Sequence, residues 1–135
     1  MTTLSRYTFG TRLALPLAQA RPRVEAALAA EGFGVLTEID VQATLKAKLG
    51  VDRPAYVILG ACNPPLAHRA LEADPAVGAL LPCNVVLRED GAETIVEALD
   101  PQVAMGIVGS AEIAPIAAEA RERLARAVAA LERPA

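Results

Sequence analysis

The residues of this sequence best suited to chemistry are two Cys-Asn pairs, each beside proline. Cys62-Asn63 precedes a Pro-Pro dipeptide, and Cys83-Asn84 follows a Leu-Pro dipeptide. A cysteine thiolate is a nucleophile and a redox centre, and an asparagine amide can donate a hydrogen bond to it. We therefore expect these pairs either to form a reactive thiol site or to border a ligand-binding cleft. The alternative is that the thiols pack as small apolar side chains in the core.

The number and spacing of the cysteines indicate free thiols without a metal. Two cysteines in a chain without a secretory signal are expected to stay reduced, which predicts a cytoplasmic protein. The 20 residues between Cys62 and Cys83 match no zinc-ligand pattern. The single histidine, His68, falls on a predicted helix, where a lone histidine is more often a surface residue than a ligand. We therefore predict no metal site, and the sequence does not identify a cofactor.

Glu38 and Lys46 are the charged candidates. Both lie near the end of the second predicted strand and could border the same pocket as the thiols. The alternative is a solvated face, in which Asp40 caps a helix and the lysine lies near the C-terminal end of that helix, where cations are favoured. The sequence contains no Gly-x-Ser-x-Gly, His-Glu-x-x-His or P-loop pattern. Conventional hydrolase and NTPase chemistry is therefore not expected.

Glycine and proline divide the chain into short elements whose hydrophobic periodicity alternates between strand and helix. The predicted strands span residues 7–15, 33–39, 55–61, 83–89 and 94–99. The predicted helices begin near Leu17, Asp40, Pro64, Pro101 and Ser110. The Asp90-Gly91 dipeptide predicts a hairpin turn between the last two strands. This order predicts an α+β two-layer sandwich with a mostly antiparallel five-stranded sheet and helices packed mainly on one face.

The predicted elements place Cys62 at the exit of the third strand and Cys83 at the entrance of the fourth. If these strands are parallel neighbours, the two thiols lie about 20 Å apart at roughly 3.3 Å per residue. If the strands are antiparallel, both thiols lie at the same edge of the sheet. Cys62 also precedes a predicted helix start, where the positive end of the helix dipole favours a thiolate.

Composition excludes two classes of partner. The chain has 135 residues, and its 53% hydrophobic content suffices for the core of one domain over residues 1–135. A net charge of −3 and an aromatic content of 3% argue against nucleic-acid binding, which needs basic surfaces and stacking side chains. No apolar run approaches the roughly 18 residues that a membrane span needs. We therefore expect a soluble protein without nucleic-acid or membrane partners.

The apolar content also predicts a homodimer. A small domain leaves part of its apolar surface uncovered, and two-fold pairing is the commonest way to cover it. The candidate interfaces are the hairpin strands at residues 83–89 and 94–99 and the exposed sides of the Ala-rich helices.

Four segments of the chain resemble domain-of-unknown-function family 302. They are residues 32–41 (GFGVLTEIDV), 43–46 (ATLK), 56–67 (YVILGACNPPLA) and 80–86 (LLPCNVV), and the resemblance extends over about residues 17–131. It implies a small bacterial or archaeal α+β domain with a TATA-binding-protein-like arrangement, and it implies dimers by analogy. It implies no established activity, so no catalytic role is transferred. The family pattern includes residues that match Glu38, Asp40, Lys46, both Cys-Asn pairs and the adjoining prolines, whereas His68 lies outside it.

Three functional hypotheses follow. The first is a small, soluble, dimeric domain that binds a small-molecule ligand in a cleft edged by the two Cys-Asn pairs, because no complete catalytic set of residues is evident. The second is a thiol-dependent redox enzyme or sensor that uses Cys62, with Cys83 as the resolving thiol. The third is a structural or assembly protein in which the prolines and asparagines only shape turns.

Overall fold

Strands and helices alternate along the chain much as the periodicity predicts. The structure is a computed structural model and describes residues 1–133. The strands are β1 (Thr2–Thr3), β2 (Thr8–Leu13), β3 (Gly34–Asp40), β4 (Tyr56–Cys62), β5 (Cys83–Asp90) and β6 (Glu93–Leu99). The helices are α1 (Leu17–Ala30), α2 (Val41–Leu49), α3 (Pro64–Ala73), α4 (Pro101–Met105) and α5 (Ile113–Leu131), with a 3-10 helix at Pro75–Leu80.

A single antiparallel sheet joins the six strands found within residues 1–133. Its order is β1-β2-β6-β5-β4-β3, and every neighbouring pair is antiparallel. The α+β class and the antiparallel sheet are thus confirmed, but the expected number of five strands is wrong. The extra strand β1 consists of two threonines that pair with Gly10 and Phe9. Such a short polar strand has no hydrophobic periodicity by which it could be predicted. The similarity to the TATA-binding-protein arrangement stays a prediction.

Local capping and turn signals set most element boundaries. Asp40 caps α2, because its carboxylate accepts a hydrogen bond of 2.9 Å from the backbone N–H of Ala43. Gly91 has a φ of +64° at the first position of the two-residue hairpin loop, which favours glycine. The start of the last helix differs from the prediction. Ser110 accepts a hydrogen bond from the N–H of Glu112, but residues 111–112 form a turn and α5 begins at Ile113.

The core of the described chain divides into two apolar clusters. In the first, α1 and the C-terminal half of α5 pack against one face of the sheet. Its fully buried side chains include Phe9, Val24, Leu59, Leu87 and Leu124. In the second, α3, α4, the 3-10 helix and the N-terminal half of α5 pack together beyond the end of the sheet. Its buried side chains include Leu66, Val77, Met105 and Ile113. Helix α5 therefore connects the two clusters.

Among residues 1–133, no helix is both long and apolar enough to cross a membrane.

Replacement of Gly10 by alanine is expected to destabilise the fold, because β2 approaches β6 closely at this residue. A Cβ atom at Gly10 would lie 1.8 Å from the carbonyl oxygen of Val96, and a backbone atom cannot move aside as a flexible side chain can. We expect Gly10→Ala to lower the free energy of unfolding by at least about 2 kcal/mol in urea titrations. Gly34→Ala is the matched control in a strand, because a Cβ there meets no atom within 4 Å. Equal effects of the two variants would contradict the close packing of β2 on β6.

Candidate functional site

A small apolar cavity lies at the end of β4 and β5, beside the second apolar cluster. Its volume is about 40 Å³. We call it the thiol cavity, because both cysteines line it together with Phe33, Ala61, Asn63, Leu66, Ala67, Ala70, Leu81, Pro82, Pro101, Met105, Ile116, Ala117 and Ala120. The lining therefore comes from two strand ends, from α3, from α4 and from α5.

The antiparallel pairing of β4 with β5 brings the two cysteines to the same end of the sheet. Ala61 lies opposite Cys83 in the register, and Cys62 is the next residue along β4. Cys62 ends its strand and Cys83 begins its own, so both lie at the same end of neighbouring strands. Of the two arrangements that the sequence left open, the antiparallel one is correct. Both cysteines are partly buried free thiols.

The thiol of Cys83 is a weak acid in this environment. Burial is the main reason, and the nearby Cys62 a smaller one, why the pKa of Cys83 is raised to about 11. An apolar environment disfavours the charged thiolate, since it offers little solvation. Cys83 is therefore protonated at neutral pH.

Asn63 caps helix α3, and the hydrogen bonds of its side chain go to backbone groups and not to a thiolate. Its Oδ1 accepts a hydrogen bond of 3.3 Å from the N–H of Leu66, and its Nδ2 donates one of 3.3 Å to the carbonyl oxygen of Glu31. The two prolines that begin α3 have no N–H, so the first N–H available to this cap is that of Leu66. The expectation that this amide donates to a thiolate is wrong. The side chain, 8% exposed, instead connects the end of α1 to the start of α3.

Asn84 lies on the opposite face of the sheet from the thiol cavity. Successive side chains of a strand point to opposite faces, so Cys83 and Asn84 diverge. Asn84 is exposed and borders a groove with Tyr7, Tyr56 and Arg88. The expectation of one cleft edged by both Cys-Asn pairs is therefore wrong. The thiol cavity takes Cys62, Asn63 and Cys83, and not Asn84.

Glu38 and Lys46 lie outside the thiol cavity, in ion pairs on the surface. Arg21 of α1 donates two hydrogen bonds to the carboxylate of Glu38 and thereby lowers the pKa of Glu38. Lys46 lies 2.8 Å from a carboxylate oxygen of Asp52, and both side chains are well exposed. The expectation that Glu38 and Lys46 border the same pocket as the thiols is wrong. The structure agrees instead with the solvated face that was the alternative.

His68 does not line the thiol cavity. It lies on α3 in a surface depression with Arg69 and Glu72. Over the described part of the chain, no group of three or more His, Cys, Asp and Glu side chains is arranged to hold a metal ion.

Met105 and Ala117 are two of the lining residues that sequence analysis did not place in the site. Met105, at the end of α4, is 8% exposed and adds a thioether to the lining. Ala117, on α5, is 4% exposed. Their helical periodicity marks them as core residues, but no local signal says that α4 and α5 return to the end of β4 and β5.

The raised pKa of Cys83 predicts slow alkylation. In a Cys62→Ser variant, iodoacetamide reacts with Cys83 in proportion to its thiolate fraction. Because burial is the larger cause of the raised pKa and persists in this variant, we expect the rate at pH 8 to be at least about tenfold below that of an ordinary thiol with a pKa of about 8.5. The rate should keep rising above pH 9, whereas that of the same variant unfolded in urea should level off near pH 9. A plateau below pH 9 in the folded protein would contradict the desolvation of Cys83.

Comparisons with known proteins place the chain in a family. The family model "Domain of unknown function DUF302" matches residues 9–131. Among solved structures, the chain is similar to an uncharacterized conserved protein DUF302 from Bacillus stearothermophilus. The two share 30% sequence identity with a TM-score of 0.85, over 93% of this chain and 98% of the other. No curated protein matches this chain. The family model covers most of the chain and confirms the resemblance seen in its motifs, so the protein belongs to the DUF302 family.

Proposed function

We propose that this protein is a soluble, cytoplasmic, non-catalytic domain that binds a small ligand in the thiol cavity. The main support is that two cysteines from separate strands line one apolar cavity. General acid-base catalysis needs a titratable group within hydrogen-bond reach of the reacting atom. Among the described residues that line the cavity there is no Asp, Glu, His, Lys or Arg. Binding therefore fits this lining better than conventional acid-base chemistry.

The size of the cavity limits the ligand. Sites for drug-sized molecules measure about 300 to 1,000 Å³, whereas a cavity needs about 10 to 15 Å³ to hold one water molecule. A cavity of about 40 Å³ therefore suits a single ion or a molecule of two or three heavy atoms. Sulfur is polarisable and favours soft partners. We accordingly propose a small and soft ligand.

A thiol-dependent redox protein is the second candidate function, because the same pair of cysteines could serve it. Thiol exchange begins with attack by a thiolate, and its rate depends on the thiolate fraction. Burial holds Cys83 in the protonated form at neutral pH, which disfavours Cys83 as the attacking group. For a redox function, Cys62 would have to be the attacking thiolate, and Cys83 would have to resolve the mixed disulfide. Alkylation of Cys62 in a Cys83→Ser variant separates the two candidates, because the redox function requires Cys62 to react faster at pH 7 in the folded than in the unfolded protein.

We also propose that the protein forms a homodimer through the surface made by β3 and α2, which we call the α2–β3 face. Helix α2 has no buried residue, and β3 is an edge strand of the sheet. The exposed apolar side chains of the face are Leu36 (68% exposed), Ile39 (51%), Leu49 (69%) and Val51 (44%). The hairpin strands β5 and β6 are paired on both sides, so neither offers an edge to a second copy.

Charge complementarity favours a second copy of this chain as the occupant of the α2–β3 face. Asp40 lies at the N-terminal end of α2, whereas Lys46 and Lys48 lie in its last turn. A two-fold axis that places two α2 helices antiparallel brings the lysines of one copy to the aspartate of the other. The helix dipoles are then also opposed, which is favourable. Two-fold interfaces require such self-complementary patches.

The proposed ligand site predicts a thermal shift that depends on Ala117. We would screen the soft metal ions silver(I), copper(I) and cadmium by thermal unfolding. At least one of them should raise the Tm of the wild-type protein by several degrees, because binding to the folded state alone stabilises it. Ala117→Val adds two carbon atoms to the lining and should abolish the shift.

Ala118→Val is the matched control, because it places valine at an exposed position of the same helix. It has the same cost in helix propensity but leaves the cavity unchanged. A panel without any shift would overturn the proposed function. A shift that persists in Ala117→Val would also overturn it, since the ligand would then bind elsewhere.

The proposed dimer predicts a mass near twice 14.0 kDa in sedimentation at micromolar concentration. Leu49→Glu buries a charge in the proposed interface and should yield the monomer. Ile107→Glu is the control, because Ile107 is 79% exposed but lies beyond α4, away from the α2–β3 face. A monomeric wild-type protein, or a Leu49→Glu variant that still dimerises, contradicts the proposal.

A further inference from the structure

We propose that a groove on the face of the sheet opposite to α1 and α5 binds a small aromatic anion, that is, a planar ring that bears a carboxylate or a phosphate. We call it the tyrosine groove, and its lining includes Tyr7, Arg53, Tyr56, Val86, Arg88 and Leu99. The tyrosine groove shares no residue with the thiol cavity. The inference therefore goes beyond the proposed function and does not depend on it.

The register of the central strands brings the walls of the tyrosine groove together. Leu59 of β4 and Leu87 of β5 are fully buried in the first apolar cluster, so their side chains point to the face that α1 and α5 cover. Successive side chains of a strand alternate between the two faces, so Tyr56, Val86 and Arg88 point to the other face. Tyr56 pairs directly with Arg88 in the register. Side chains paired in this way are neighbours, with Cβ atoms about 4.5 to 5.5 Å apart.

The first argument for an aromatic ligand is that both tyrosines of the chain line this groove. The whole chain has four aromatic residues, two tyrosines and two phenylalanines. Phe9 and Phe33 are buried in the core, whereas Tyr7 is exposed and Tyr56 is half-buried. The guanidinium carbon of Arg53 lies 5.0 Å from the centre of the Tyr56 ring, which is a cation-π contact. The groove thus offers tyrosine rings and a planar guanidinium on which a flat ligand can stack.

The second argument is the local charge. The chain has a net charge of −3, whereas the tyrosine groove is lined by two arginines, Arg53 and Arg88, and by one acidic residue, Glu97. The carboxylate of Glu97 accepts hydrogen bonds from Nε of Arg88 (2.7 Å) and from Oγ1 of Thr8 (3.2 Å). Glu97 is thereby occupied, and it holds the guanidinium of Arg88 in place.

Both arginines retain hydrogen-bond donors for a ligand. Among the hydrogen bonds and ion pairs within residues 1–133, Arg88 uses only its Nε, and the side chain of Arg53 takes part in none. The Nη groups of Arg88 and the whole guanidinium of Arg53 can therefore bind an anion. The planar fork of a guanidinium matches the oxygen atoms of a carboxylate or a phosphate.

The third argument is the size and lining of the tyrosine groove. Its volume is about 560 Å³, which lies within the range of about 300 to 1,000 Å³ for small-molecule sites. Val86 of β5 and Leu99 of β6 are half-buried and add apolar surface to the lining. Apolar surface with a few polar groups is typical of small-molecule sites. Rings, apolar surface and guanidinium groups together fit a ligand that has both a flat ring and a negative charge.

The test is isothermal titration calorimetry of the full chain with two probes, adenosine monophosphate and indole-3-acetate. The first joins a ring to a phosphate, and the second joins a ring to a carboxylate. At least one probe should bind with a Kd below about 1 mM, and the probe that binds more tightly identifies the anion. Adenosine and indole supply the ring alone, whereas inorganic phosphate and acetate supply the charge alone. Each of these should bind at least about tenfold more weakly than the complete probe, because it lacks one of the two interactions.

Two pairs of variants locate the binding. Arg53→Gln removes a guanidinium from the groove and should weaken binding by about tenfold. Arg69→Gln is its matched control, because it removes the same charge from an exposed position of α3 outside the groove and should leave the affinity unchanged. Tyr56→Leu removes a ring and should weaken binding by about fivefold, whereas Tyr56→Phe retains the ring and should bind within about twofold of the wild type.

Three results contradict this inference. The first is that neither probe binds, and the second is that a ring or an anion alone binds as tightly as the complete probe. The third is an equal affinity in Arg53→Gln and Arg69→Gln, or in Tyr56→Leu and Tyr56→Phe, because the probe would then bind outside the tyrosine groove. The thermal panel for the thiol cavity is independent of these outcomes, since the two sites have no residue in common.

Discussion

The candidate site depends on one constraint, the register of β4 against β5. Pairing of Ala61 with Cys83 places the end of one strand beside the beginning of the next, and thereby brings two cysteines that are 21 positions apart in sequence to the same end of the sheet. A slip of one residue would turn Cys83 to the opposite face of the sheet, because side chains alternate along a strand. The thiol cavity would then lose one of its sulfur atoms. The hydrogen-bonded ladder of the sheet thus decides which side chains meet.

Gly60 helps to hold this register. A Cβ atom at this position would lie 2.1 Å from Oγ1 of Thr37 and 2.8 Å from Cγ of Pro82. Thr37 belongs to β3 on one side of β4, and Pro82 directly precedes Cys83 on the other. The side chains of both neighbours therefore converge over the one residue of β4 that has none. This fit explains why glycine interrupts an otherwise apolar central strand.

Local signals predicted the elements of this fold, but only half of the predicted site residues line the thiol cavity. The cap at Asp40, the turn at Gly91 and the apolar run in β4 are short-range features, so each element could be predicted from its own residues. The divergence of Cys83 and Asn84 follows from strand alternation and was within reach of the sequence. The presence of Met105 in the cavity could not be predicted from the sequence, because it depends on how the chain folds back after β6. The ion pair of Glu38 could not be predicted either, since its partner Arg21 lies on a helix 17 residues earlier.

The unfilled space itself argues for a function at this site. At about 24 cal/mol per Å³, a cavity of about 40 Å³ costs about 1 kcal/mol of stability. The space exists because small side chains surround it on three elements, namely Ala61, Ala67, Ala70, Ala117 and Ala120. Helix propensity explains alanine on an exposed helix surface, but a buried helical position is usually filled by a larger apolar side chain. A single valine at one of these positions would remove much of the cavity, so a chain selected only for stability has an easy route to close it. Imperfect packing alone therefore explains the cavity less well than the proposed ligand site does.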